Sequence, residues 1–124
     1  MANDNGFIEH LRELLQPLDG VTIKRMFGGH GVFRHGLMFA LVVDDAFYFK
    51  VDDQNRPAFE ERDLKPWTYQ TKAGKVTTMP YYQAPEETLD DSEEMCKWAE
   101  SAYGVALRAQ KPKPKKITPK KNLS

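Results

Sequence analysis

The chain has 124 residues, 40% of them apolar and with 7 Phe, 5 Tyr and 2 Trp, which suits one compact domain and excludes a chain disordered throughout. Its longest unbroken apolar run, Leu37 to Val43, is far shorter than the roughly 18–20 residues of a spanning helix, and MANDNGFIEH lacks the basic-then-apolar order of a secretory signal. The net charge of zero hides a division: residues 1–110 hold all 18 acidic residues against twelve Lys and Arg, a balance of −6, while residues 111–124 carry +6.

Phe7, Ile8, Leu11, Leu14, Leu15 and Leu18 recur at three- and four-residue spacing and predict an amphipathic first helix, ended near Pro17 and Asp19-Gly20. VTIKRMF reads as a strand and GVFR as a short second one. LMFALVV and AFYFKV form a hairpin about Asp44-Asp45, in which Val43 pairs with Ala46, Val42 with Phe47, Ala40 with Phe49 and Met38 with Val51. Strict alternation puts Val42, Ala40, Met38, Phe47, Phe49 and Val51 on one face. The other carries Leu37, Phe39, Leu41, Val43 and Tyr48, interrupted only by Lys50. Both faces are apolar, so the second is a candidate interaction face, to be covered by a wrapping helix or by a homodimer.

Asp53 to Asp63 predicts a short helix. WTYQT and VTTMPYY predict a second hairpin whose last strand stops near Pro80, which has no N–H for a ladder bond. A long final helix follows a cap at Asp91 or Ser92, with Met95, Trp98, Ala99, Ala102, Val105 and Ala106 in one stripe. The expected fold is α+β in two layers: an antiparallel sheet of about six strands with helices on one face, in the order α-β-β-β-β-α-β-β-α. Residues 1–110 form the domain. Residues 111–124, with six lysines and three prolines, predict a disordered tail.

The stretch KRMFGGHGVFRHG most resembles an active site. Gly29 and Gly31 open a dinucleotide fingerprint, but Arg34 stands where its third glycine belongs. Gly31 and Gly36 have P-loop spacing, but Leu37 and Met38 follow instead of Lys and Ser/Thr, and strand follows instead of helix. Arg25, Met26, Phe27, Gly28, Gly29 and Gly31 therefore read as a structural glycine corner. His30 and His35 have no metal-motif partners, Cys96 no evident base, and the acidic pairs sit at turns and caps. No catalytic, cofactor-binding or metal-binding residue is assigned, and an enzyme is not expected. Cys96 is the only cysteine, so no internal disulfide is expected and a cytoplasmic setting fits.

RMFGGHGVFRHGLMFALVVDDAFYFKVD, then NRPAFE, then MPYYQAPEETLDDSEEMCKWA, resembles the N-terminal domain of the TfoX/Sxy family over about residues 8 to 107. The resemblance implies the same two-layer α+β fold. It also implies a role like that of bacterial competence regulators, some of which act with the cyclic-AMP receptor protein at promoters. It brings no catalytic residues. The longer regulators carry a second domain where this chain has a lysine-rich tail. The expected function is thus a non-enzymatic, transcriptional co-regulator type of domain acting through a protein partner. The alternative is a weak, sequence-independent nucleic-acid binder using Lys111, Lys113, Lys115, Lys116, Lys120 and Lys121.

Overall fold

The structure is a computed structural model that describes residues 5–26 and 28–110. Phe27 and the tail lysines Lys111 to Lys121 lie outside the described residues. The order is α1 (Asn5–Leu14), β1 (Val21–Met26), β2 (Gly29–Arg34), β3 (Leu37–Val43), β4 (Ala46–Lys50), α2 (Arg56–Glu60), β5 (Pro66–Gln70), β6 (Val76–Gln83), a 3-10 turn (Glu86–Leu89) and α3 (Ser92–Gln110). The six strands form one antiparallel sheet in the order β1-β2-β3-β4-β6-β5. This is the α+β fold that the periodicities predict.

One face of the sheet holds the core. Ile8, Leu11, Leu14 and Leu15 of the first helical region are buried against it, and α3 lies across β3 and β4 with the predicted stripe inward. α2 adds Phe59, whose ring meets those of Phe49, Tyr82 and Trp98. The two longer helices are also fastened end to side. Ser92 donates its hydroxyl to the Leu14 carbonyl at 2.7 Å, supplying a partner to a C-terminal carbonyl of α1. Asp91 caps α3 by accepting the Glu93 N–H at 3.0 Å.

The β3–β4 pairing is Val43 with Ala46, Val42 with Phe47, Leu41 with Tyr48 and Ala40 with Phe49. Asp44 and Asp45 make the two-residue turn with φ of 52° and 61°, the left-handed backbone such tight hairpins require. On the other side of β3 the alternation breaks. Val32 pairs with Ala40, but Phe33 pairs with Met38, so Phe39 is the extra residue of a bulge. The bulge reverses the parity of the strand's first half. Phe39 is fully buried, edge-on to Tyr103 of α3, and Leu37 packs against the same core. Met38 moves to the other face, where its sulfur lies near the open side of Gly31. The expectation that Leu37 and Phe39 share a face with Leu41, Val43 and Tyr48 is therefore corrected. So is the placement of Met38 beside Ala40 and Val42.

β6 runs through Pro80 instead of stopping there, and its pairing with β5 has a second irregularity. Pro66 pairs with Tyr82 and Thr68 with Thr78, so the β5–β6 ladder skips at Pro80. Pro80 faces Val51 on the β4 side, so the bond its missing N–H would make is lost just beyond the end of β4 at Lys50. The Pro80 carbonyl still accepts the Val51 N–H at 2.9 Å.

Candidate binding face of the sheet

The glycine stretch resolves into three separate roles. Gly28 belongs to the link between β1 and β2, with φ of +71°. Gly29 is in β2, opposite Val43, and a Cβ there would run into the backbone carbonyl oxygen of Val42. Close approach of two strands, not positive φ, requires this glycine. Gly31 leaves a gap filled by the side chains of Met26, Met38 and Phe33. Arg25 lies opposite His30. The stretch is thus a hairpin leading into the middle of the sheet, with no helix N-terminus at its end.

The remaining polar candidates are dispersed. His30 has a buried Nδ1 without a partner, and burial, then the charges of Arg25 and Arg12, lowers its pKa. His35 sits in the β2–β3 turn beside Asp19, which Arg34 also binds through its side chain. Cys96 points its thiol at the Leu14 carbonyl, and burial raises its pKa, the opposite of what an activated thiolate needs. Several of the carboxylates are likewise committed: Asp52 to Arg108, Asp53 to Arg56, Glu87 to Arg62, and Asp91 to its cap. Among the described residues no three His, Cys, Asp or Glu side chains converge on a metal site. No helix of the described residues is long and apolar enough to cross a membrane.

What the strands do build is a pocket of about 390 Å³ on the face turned away from the helices. Every residue that lines it comes from a strand. Met26, Met38, Leu41, Trp67, Met79 and Tyr81 supply most of its walls, and Lys50 is its cation. The aromatic surface continues along the face: the Trp67 ring lies 6.4 Å from that of Tyr48 and 5.8 Å from that of Tyr69. Leu41, Val43 and Tyr48 are thus the part of the predicted interaction face that the structure leaves on this side, and Met38 joins them. Trp67 and Met79 were not singled out in the sequence. They reach the pocket because β6 inserts beside β4, bringing the second hairpin against the first.

Lys50 sits opposite Tyr81 in the ladder, its Nζ 5.1 Å from the centre of the Tyr81 ring. Burial lowers its pKa and raises that of Tyr81, which stays a neutral phenol. A cation–π contact of this sort contributes about 0.5–2 kcal/mol, depending on solvent exposure.

The model for the TfoX N-terminal domain matches residues 13–106, most of the chain and nearly all of the described fold. The chain belongs to the TfoX N-terminal domain family. A comparison with curated proteins gave no match. The matched span takes in all six strands and most of α3, so the opposite face and most of the core, without Ile8 and Leu11, lie within it.

Proposed function

We propose that this TfoX N-terminal domain is a non-enzymatic regulatory module, of the transcriptional co-regulator kind, that works by binding another protein in the bacterial cytoplasm. The observation that carries the reading is the apolar, aromatic face of the sheet without a helix laid over its pocket. Large apolar patches are rare on free-standing monomers and mark contact surfaces. Aromatic and Met side chains of this kind are also enriched where proteins meet. A second copy of the chain is one partner that would cover the face, and a component of the transcription machinery is another.

The test is capture from an extract of the native host with tagged wild type, a Trp67→Ser/Tyr69→Ser variant and a Leu107→Ser variant. Leu107 is exposed on α3 and serves as the surface control. A specific partner should be retained by wild type and Leu107→Ser and lost by the double variant. Identical capture by all three would refute the reading.

The alternative function, weak nucleic-acid contact, rests on the six lysines after Gln110 against an acidic body. Lysine ammoniums act as point charges on phosphates and read no bases. Six contacts on duplex DNA give a slope of log K against log salt no steeper than about −5. A chain ending at Gln110 should then lose all measurable affinity. Equal binding by the shortened and full chains would exclude the tail as the contact.

A further inference from the structure

The pocket contains a charge that no carboxylate among the described residues answers. Of the other described cations, Arg12, Arg34, Arg56, Arg62, Lys65, Lys97 and Arg108 each lie within ion-pair distance of a carboxylate, and Lys24, Arg25, Lys72 and Lys75 are exposed to water. Lys50 is partly buried among apolar side chains, and its ammonium has the Tyr81 ring as its neighbour and no carboxylate among the described residues. A half-desolvated cation without a counter-ion is unfavourable, and an incoming anion relieves that cost. The volume of about 390 Å³ falls within the ~300–1,000 Å³ range of small-molecule sites, which are mostly apolar with a few placed polar groups. Met26, Met38 and Met79 give the walls flexible, polarisable side chains that adapt to an irregular apolar body.

We propose that this pocket binds a small apolar monocarboxylate, its acyl or aromatic body against Met26, Met38, Trp67 and Met79 and its carboxylate on the Lys50 ammonium. One cation with no arginine fork suits a single negative charge. A phosphate monoester or nucleoside polyphosphate would bring about two charges or more and find, among the described lining residues, neither a second cation nor a helix N-terminus. A second copy of the chain laid squarely over the pocket would bring another Lys50 instead of an anion, and like charges facing each other across an interface are costly. Charge complementarity therefore favours the small anion as occupant. Such binding needs no protein partner, so it is measurable on the purified chain whatever becomes of the regulatory reading.

The experiment uses the full chain labelled with carbon-13 at its methionine methyls, titrated with decanoate, with indole-3-acetate and with neutral 1-decanol. Met26, Met38 and Met79 line the pocket, whereas Met95 is fully buried in the helix-side core and reports on global change. The three pocket methyls should shift with a carboxylate while Met95 stays still. The stronger of decanoate and indole-3-acetate identifies the body as acyl or aromatic. That carboxylate should bind at least tenfold more tightly than decanol. Lys50→Met should abolish that preference while leaving decanol binding unchanged, which also shows that the variant's pocket is intact. Lys50→Arg should retain the preference. If Lys50→Met does not fold, the wild-type preference for carboxylate over alcohol and the pattern of methyl shifts still decide. The proposal is overturned by still pocket methyls at millimolar carboxylate, by equal affinity for the stronger carboxylate and decanol, or by a carboxylate preference that persists in folded Lys50→Met.

Discussion

Gly29 shows how much of a residue's role depends on a neighbour the sequence does not name. A cluster of glycines invites an argument from positive φ, and that argument holds for Gly28. For Gly29 the constraint is the Val42 carbonyl on the adjacent strand, a contact between residues thirteen apart that only the β2–β3 register creates. Gly29→Val should therefore destabilise the fold by roughly 1–3 kcal/mol, the usual cost of forcing atoms into a packed region. Urea unfolding checks it, and a change below about 0.5 kcal/mol would mean that the two strands part easily. Lys50 was visible in the sequence only as a break in an apolar face. Its surroundings became legible once Tyr81, thirty-one residues on, stood opposite it. The Cys96 thiol and the acidic pairs were more transparent, since caps, turns and helix edges are local features.

At the level of elements, the inward stripe of α3 follows from local periodicity and agrees with the structure, as do the hairpin pairs Val43–Ala46, Val42–Phe47 and Ala40–Phe49, whereas the expected Met38–Val51 pair does not form. The bulge at Phe39 does not follow from that periodicity. A strand read alone alternates strictly, and the extra residue is imposed by pairing with β2, so alternation alone puts Leu37, Met38 and Phe39 on the wrong sides. The two placements differ in energy. Buried against Tyr103, Phe39→Ala should cost about 3–5 kcal/mol, whereas on an open sheet face it would cost far less. Thermal or urea denaturation of that variant separates the two. Element ends also hold one another through charge. Arg108 of α3 grips Asp52, just after β4, with two bonds of 2.8 and 3.0 Å. The Arg108 side chain, first among several causes, holds the Asp52 carboxyl below its ordinary 3.8. The pair's stabilisation is thus complete above that value and is lost as pH falls through the lowered pKa. Asp52→Asn should cost about 0.5–1 kcal/mol at pH 7, modest because both side chains are partly solvated. That difference should shrink towards zero in denaturation curves taken at pH values progressively below 3.8, as the carboxyl is protonated in the folded state.

For the whole molecule, the layered α+β fold was readable because helical and strand periods alternate clearly along the chain. The order in which the hairpins join was not, since the insertion of β6 between β4 and β5 is a non-local choice. That choice makes the face opposite the helices a broad aromatic surface with a cationic pocket, and on that face the functional account depends. Tyr69 on this face and Leu107 on α3 are almost equally exposed, at 45% and 42%, so a photo-crosslinking amino acid at either position samples solvent alike. In living cells of the native host, p-benzoylphenylalanine at position 69 should trap a discrete adduct, with a partner or a second copy, and at position 107 should trap none. An adduct formed from position 107 and not from position 69 would contradict the account.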